Sequence, residues 1–261
     1  MLGYCLTGDV KEHALFFLFG PGGTGKSTLV NTVAEILGAY AWAAPIEMLT
    51  ASRFDRHPTE LAALKGRRFV TATETEQGRS WAEAKIKQLT GGDPVTARFM
   101  RRDFFEFNPT HKLVVIGNHA PAMQSCGNDM RRRFHVLPLE HVPQSIDQDL
   151  PAKLVREAGR ILAWMIDGAV KWQEQGLDPP PVVRTATDQY FETQDVFTDW
   201  LDAETTRSPE LQDTSARLHG SYSRFMSDLS EPVMSSKAFG MELSRRGFHR
   251  KHRACRTARL C

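Results

Sequence analysis

The chain has 261 residues, 41% of them apolar and 25% charged, with a formal net charge of +2. This is the composition of an ordinary globular protein of one or two domains, and so small a charge does not by itself indicate an acidic partner. The longest apolar run near the start, residues 14–19, is too short to cross a bilayer, and the four cysteines lack the spacing of a disulfide framework. We therefore expect a cytoplasmic protein with no membrane segment.

Positive charge is concentrated at the C-terminal end of the sequence. After Glu242 there is no acidic side chain, while seven Arg and Lys residues follow. Such a tail could track a phosphate backbone, or it could be a solvated terminus.

Three short apolar runs predict the inner strands of a parallel sheet buried on both faces: Leu15–Phe19, Arg68–Ala72 and Lys112–Ile116. The first is followed by a glycine cluster and then by a predicted helix, Ser27–Leu37, which Gly38 ends. Each strand is followed by polar residues, where an open α/β sheet carries its chemistry.

Between the second and third strands, the spacing predicts a helix over Trp81–Leu89 and a β-hairpin over Pro94–Phe107. The tip of this hairpin is basic, with Arg101 and Arg102 beside Asp103.

Later segments are predicted to be helical. Residues 148–175 have an apolar stripe, and three prolines at 179–181 then interrupt the chain. From about Asp195 we predict a last unit of three short helices, Phe197–Leu201, Leu218–Leu229 and Ser235–Arg246. The stripe predicted to be buried consists of Leu154, Ile161, Leu162, Met165 and Ile166.

The glycine cluster matches the phosphate-binding pattern Gly-x-x-x-x-Gly-Lys-Ser/Thr between a strand and a helix. Glycines let backbone N–H groups surround phosphates, Lys26 should reach the β and γ phosphates, and the Ser27 hydroxyl should bind Mg²⁺. We therefore expect ATP and Mg²⁺ as ligands. The predicted nucleotide-binding residues are Gly20, Pro21, Gly22, Gly23, Thr24, Gly25, Lys26, Ser27 and Thr28.

A phosphate-binding loop needs an acidic group near the metal and the attacking water. Glu74, after the second strand, is the first candidate for polarising water or holding the metal, and Glu76 is the second. Asn118, after the third strand, could orient the water or sense the γ-phosphate, or it could simply form a turn.

An arginine cluster follows at residues 131–133. In a ring ATPase such an arginine reaches the neighbouring subunit's site and stabilises transition-state charge, whereas elsewhere it is a solvated surface cluster. Arg132 and Arg133 are the catalytic candidates.

In this order, the motifs resemble the C-terminal helicase family of phage, plasmid and poxvirus primases, a superfamily three branch of the AAA+ ATPases. The likeness covers nearly the whole chain, and its most specific segment is Leu-Thr-Gly-Gly-Asp at residues 89–93. The resemblance implies an α/β fold with a P-loop AAA+ core, in which helices flank a parallel sheet. It also implies three domains: a motor core over 1–145, a helical support over 146–192 and a small winged-helix-like DNA-binding module over 193–261.

The resemblance further implies an ATP-driven motor that assembles as a hexameric ring and moves on single-stranded or forked DNA, with a primase or polymerase as a possible partner. In the family, the segment matching residues 85–107 carries a hairpin that projects into the central pore. The DNA-binding candidates carried over to this chain are Lys87, Arg98, Arg101 and Arg102.

Two positions depart from the family pattern. Gly117 stands where Thr or Ser usually precedes the asparagine, and Arg131 stands where an aromatic or apolar residue is common. Family members also carry a primase or oligomerising segment upstream of the motor. Because that segment takes part in assembly, the expectation of a ring depends on the resemblance more than the other expectations do.

Two other functions are compatible with the P-loop. One is a replication initiator that binds duplex DNA and uses ATP only to assemble. The other is a small-molecule kinase, which would leave the basic hairpin and Asn118 unexplained.

Overall fold

The computed structural model describes residues 1–51, 59–74, 79–123, 127–206, 208, 210–229 and 233–249. The chain forms two compact units, Met1–Gln194 and Asp195–Cys261. Within the described ranges, no helix has the length and apolar character needed to cross a membrane. Cys5, the cysteine among these residues, is a free, buried thiol.

The first unit is built on a five-stranded sheet whose neighbouring strands are all parallel. Its spatial order is β2-β3-β6-β1-β7, and β4 and β5 form a separate antiparallel pair. The strands are β1 (Leu15–Phe19), β2 (Ala41–Ala43), β3 (Phe69–Glu74), β4 (Val95–Ala97), β5 (Phe105–Phe107), β6 (Lys112–Gly117) and β7 (Phe134–Pro138).

The three inner strands β1, β3 and β6 confirm the strands predicted from apolar runs. The edge strands β2 and β7 were not predicted. Strand β2 has only three residues, none of them buried, and in β7 only Phe134 and Val136 are buried, because an edge strand is covered less completely than an inner one. Position in the sheet therefore decided which strands the sequence reveals.

Alternate residues of the inner strands face two separate cores. Phe17, Leu113 and Val115 join Trp81 and Tyr190 on one face. Phe16, Leu18, Val114 and Ile116 lie on the other face, with Tyr4 and Trp172. Helices thus cover both faces, which confirms the predicted α/β fold. The helices of this unit are α1 (Leu2–Leu6), α2 (Lys26–Leu37), α3 (Thr59–Ala62), α4 (Glu83–Thr90), α5 (Asn128–Arg131), α6 (Leu150–Arg156), α7 (Ala158–Gln175) and α8 (Pro181–Thr193).

The helical region after the sheet differs from the prediction in two ways. The chain breaks at Glu157 into α6 and α7, and Ile166 is half exposed while Trp172 is buried. The second difference follows from α1, which was not predicted and packs tightly on α7. A Cβ atom added to Gly3 would lie 2.2 Å from the backbone N of Ala169, so glycine is needed for this close approach. The crossing sets which face of α7 is buried.

Helix α8 covers the free edge of the sheet. The backbone N–H of Val136 in β7 donates to Thr187 Oγ1 at 3.0 Å, which satisfies an edge amide that has no strand partner. Tyr190 and Phe191 of α8 extend into the core. Tyr190 Oη accepts from Trp81 Nε1 (2.7 Å) and donates to the carbonyl of Pro121 (2.5 Å).

The predicted β-hairpin is confirmed. Its strands β4 and β5 pair antiparallel, with Val95 opposite Phe107 and Ala97 opposite Phe105. Residues 98–104 form the tip.

The second unit contains the three predicted helices: α9 (Val196–Glu204), α10 (Ser215–Asp228) and α11 (Ser236–Arg245). Side chains of Asp195, Thr214 and Ser235 cap their N-termini. Its core is mainly aromatic, with Phe197, Trp200, Tyr222 and Phe239 in mutual contact. No strand occurs among its described residues. Most of the predicted basic tail, from Arg250 onward, lies outside the described residues.

Candidate nucleotide site

The loop between β1 and α2 has a backbone that only glycines adopt readily. Gly23 and Gly25 have φ values of +83° and +82°. A Cβ atom on Gly20 would lie 2.0 Å from the carbonyl O of Leu139. Helix α2 then begins with no acidic residue in its first turn and no side-chain cap on its first amides. The positive end of the helix dipole is thus open to an anion such as phosphate.

Lys26 bends back over this loop. Its Nζ donates to the carbonyls of Gly20 (2.8 Å) and Pro21 (2.7 Å) and to Thr24 Oγ1 (3.1 Å). Burial lowers the pKa of the Lys26 ammonium. Ser27 follows on the exposed first turn of α2. A cation held by three oxygens beside open backbone amides fits the phosphate chain of a nucleotide, so the residues present suit the predicted ligand.

The carboxyl ends of three neighbouring strands, β1, β6 and β3, lie level with one another. In the register, Phe19 of β1 is opposite Gly117 of β6, and Gly117 is opposite Glu74 of β3. Adjacent strands are about 4.8 Å apart, so these three positions fall within about 10 Å. The loop with Lys26 follows Phe19 and Asn118 follows Gly117. The structure thus brings Glu74 and Asn118 to the edge that carries the phosphate loop, while Glu76 lies outside the described residues.

Glu74 and Asn118 differ in exposure. The Glu74 side chain is buried at the end of β3, whereas Asn118 is exposed. Gly117 has a clear reason to be glycine here. A Cβ atom at this position would lie 2.8 Å from Cε2 of Phe17 and 3.0 Å from the carbonyl O of His119. The Phe17 ring therefore leaves no room for the Thr or Ser that the family usually has at position 117.

The arginine cluster lies at the opposite end of the sheet. The carbonyl of Arg133 accepts the N–H of Leu15 at 2.7 Å, at the start of β1, whereas the phosphate loop follows the end of β1. Strand β1 separates them by about 13 Å, since a strand rises about 3.3 Å per residue. An arginine here is on the far side of the sheet from Lys26 of its own chain.

The three arginines have different surroundings. Arg131 forms an ion pair with Asp188 of α8, at 2.6 Å. The Arg133 side chain is buried, its Nε and Nη1 have no hydrogen-bond partner among the described residues, and burial lowers the pKa of its guanidinium. Arg132 is exposed. Arg132 is thus the arginine best placed to reach another molecule.

The DNA-binding candidates fall into two places. Arg98, Arg101 and Arg102 lie together on the hairpin tip. Lys87 instead lies on α4 and forms an ion pair with Asp129 in the first turn of α5. This pair lowers the pKa of the Asp129 carboxyl. Lys87 therefore contacts the helix that carries Arg131.

A cavity lies beside the loop, at the end of β7. The segment after β7 passes close to the phosphate loop, because Leu139 N–H donates to the carbonyl of Phe19 at 2.8 Å and a Cβ atom on Gly23 would contact Val142. The cavity has a volume of about 340 Å³. Sequence reasoning missed it because its lining comes from distant segments: Pro138, Glu140, Val182, Thr185, Ala186 and Gln189.

A model of a protein family of unknown function, DUF5906, matches residues 18–133. This range contains the phosphate loop, Glu74, Asn118, the hairpin and the arginine cluster. A protein of Acanthamoeba polyphaga mimivirus named putative helicase is 27% identical over 222 residues, which cover 77% of this chain and 23% of the mimivirus protein. An African swine fever virus protein named putative primase is 28% identical over 113 residues, 42% of this chain and 12% of the viral protein.

The chain is homologous to these viral proteins. It spans less than a quarter of the length of either one. The fold is similar to that of the NrS-1 C-terminal region in two apo structures. One has a TM-score of 0.52 at 13% identity and covers 77% of this chain and 48% of that one. The other has a TM-score of 0.50 at 12% identity and covers 90% and 54%.

Proposed function

We propose that this chain is the ATP-hydrolysing motor of a DNA helicase of the superfamily three type, with ATP as fuel and Mg²⁺ as cofactor. The observation that carries the proposal is the level ending of β1, β6 and β3, which gathers the phosphate loop, Asn118 and Glu74 at one sheet edge. A P-loop ATPase needs these same three elements at one site.

Each residue has a role that suits its position. Backbone amides of the loop and Lys26 bind the β and γ phosphates, and Asn118 orients the attacking water. Glu74 polarises that water or holds the metal, with the Ser27 hydroxyl as the other protein ligand. When bound, Mg²⁺ supplies positive charge against the phosphate oxygens. Glu76 remains the second acidic candidate.

The nucleoside end of ATP is expected on the β7 side. If Glu74 and Asn118 act at the γ-phosphate, this phosphate lies toward β3 and β6, and the base and ribose extend the other way along the loop. There the cavity between the end of β7 and α8 is of a size and mixed polarity that suit a nucleoside.

An arginine acting in trans explains the position of the cluster. Since Arg132 is exposed at the sheet end opposite its own Lys26, we infer that it serves a neighbouring chain's nucleotide. A head-to-tail contact of this kind forms a ring when its rotation closes, and we propose a homo-hexamer, the assembly that the family resemblance implies. Arg133, which is buried, is the second candidate for this role.

DNA is the proposed track. The names of the viral relatives support a role in replication, and the basic hairpin supplies guanidinium groups that contact phosphate without reading sequence. The motor would act on single-stranded or forked DNA during replication of a phage, plasmid or other mobile element, with a primase or polymerase as a possible partner.

The test is ATP hydrolysis measured with and without single-stranded DNA. We expect DNA to stimulate hydrolysis and Lys26→Ala to lower it by at least roughly 100-fold, because the lysine's charge on the phosphates is lost. Hydrolysis that is intact but unaffected by DNA would contradict the helicase.

Two further results would favour the other functions. Preference for one duplex sequence, without unwinding at saturating ATP, would indicate an initiator. Phosphate transfer to a metabolite would indicate a kinase.

A further inference from the structure

The hairpin tip exposes large apolar side chains among its arginines. Phe99, Met100 and Phe104 are 41%, 66% and 59% exposed. They are interspersed with Arg98, Arg101 and Arg102 in a segment of seven residues, whose remaining member is Asp103. These side chains leave much of their apolar surface in solvent, and charge alone would suffice for phosphate contact. Their presence points to a ligand with flat apolar faces as well as negative charge.

The aromatic rings form a continuous ladder. Phe99 stacks on Phe105 with ring centres 5.6 Å apart and an interplanar angle of 25°, and Phe105 contacts Phe107 at 6.1 Å. Phe107 is buried in the main core. The exposed ring of Phe99 is thus held by the fold. A ring fixed in this way loses little freedom when another flat group stacks on it.

Cations are arranged around these rings. The Arg98 guanidinium lies 4.8 Å from the ring centre of Phe104, and Lys65 Nζ lies 4.8 Å from that of Phe105. Arg101 occupies the left-handed region, with φ of +59°, in a turn closed by the Arg102 N–H and the Phe99 carbonyl (3.1 Å). Glycine or asparagine would adopt this conformation at lower cost. Position 101 therefore carries an arginine although the backbone conformation there favours glycine or asparagine.

We propose that this tip holds single-stranded DNA by stacking unpaired bases on Phe99 and Phe104, while Arg98, Arg101 and Arg102 contact the adjoining phosphates. The stacking is indifferent to sequence because every base has an aromatic face, and it requires unpaired bases. The tip therefore distinguishes single strands from duplex. This inference rests on the proposed function, since it specifies how the motor grips its track.

The test compares a thymidine oligonucleotide with an abasic oligonucleotide of the same length and charge. We expect the intact protein to bind the thymidine strand about tenfold more tightly, since stacking is lost on the abasic strand. Phe99→Ala with Phe104→Ala should lower affinity for the thymidine strand to that for the abasic strand. Arg101→Ala with Arg102→Ala should weaken binding to both strands alike. A strand carrying 2-aminopurine should lose fluorescence on binding to the intact protein, and less on binding to the phenylalanine variant.

Trp164→Ala is the matched control, because this ring on α7 is 62% exposed and lies far along the chain from the hairpin. It should leave both affinities unchanged. A thermal melt of each variant checks folding.

Two outcomes would overturn the inference in distinguishable ways. Equal affinity of the intact protein for both strands, with hydrolysis still stimulated by DNA, overturns base stacking and leaves the motor standing. Absence of binding to either strand, with no stimulation, overturns the proposed motor and the stacking with it.

Discussion

The Phe17 ring fills the space that a side chain at position 117 would need. A side chain at 117 would meet the Phe17 ring at 2.8 Å, and this ring is fully buried. We expect Gly117→Ser to lower the free energy of unfolding by about 1–3 kcal/mol, because the core must shift to admit it. Chemical denaturation measures this change.

The same contact predicts a rescue. Phe17→Leu removes ring atoms from the collision, so the double variant should be more stable than the sum of the two single changes predicts. Strict additivity would show that the two positions do not compete for space.

His111 should make stability sensitive to acid. It is buried, and burial together with the nearby Lys112 ammonium lowers its pKa from 6.5 to about 4. Between these values the unfolded chain binds a proton that the folded chain does not. The free energy of unfolding therefore falls as pH drops from 6.5 to 4, by at most about 3 kcal/mol.

The measurement is the free energy of unfolding across this pH range for the intact protein and for His111→Gln. The variant has no ionisable ring, so its curve should be flatter between pH 6.5 and 4. Parallel curves would assign the acid sensitivity to other groups.

At the scale of elements, α4 and α5 are joined by the ion pair of Lys87 and Asp129. Both side chains are partly exposed, so the pair contributes little to stability, but it connects the helix before the hairpin to the helix carrying Arg131. The family resemblance predicted Lys87 as a DNA contact. An ion-pairing role and a DNA-contacting role for Lys87 predict different effects of substitution.

A charge swap separates them. Lys87→Asp should weaken DNA-stimulated hydrolysis, because two carboxylates then face each other. Adding Asp129→Lys restores an opposite pair, and we expect most of the stimulation to return. If the double variant stays as defective as Lys87→Asp alone, the lysine contacts DNA directly. Hydrolysis rates at saturating single-stranded DNA are the measurement.

For the whole molecule, the position of Arg132 predicts complementation between chains. Arg132→Ala alone should lower hydrolysis by about 10³-fold, because transition-state charge is left unneutralised, and Lys26→Ala should be inactive. In an equal mixture, a Lys26→Ala chain still has Arg132. It can supply this arginine to the nucleotide site of a neighbouring Arg132→Ala chain, whose Lys26 is intact. Roughly a quarter of the interfaces in a mixed ring are then productive.

Recovery of activity on mixing is the expected result, measured as hydrolysis against the two separate proteins. Arg131→Ala is the control, because Asp188 already holds that guanidinium at 2.6 Å. Activity that stays absent in mixtures, with mixed assemblies shown by light scattering, would argue against an arginine acting in trans.

The sequence by itself determined the inner strands, the phosphate loop and the hairpin. In each, residues close along the chain dictate the structure: unbroken apolar runs are buried on two faces, and glycines at 20, 23 and 25 suit an unusual backbone. Local patterns of this kind need no distant partner to be recognised.

Only the tertiary structure decided which face of α7 is buried, why residue 117 is glycine, and where each arginine points. Those outcomes depend on α1, Phe17 and Asp188, which are far away in the sequence. The same holds for the cavity at β7 and for the alignment of Phe19, Gly117 and Glu74. A parallel sheet brings strands together through long crossovers, so its edge is assembled from segments whose neighbourhood no local pattern records.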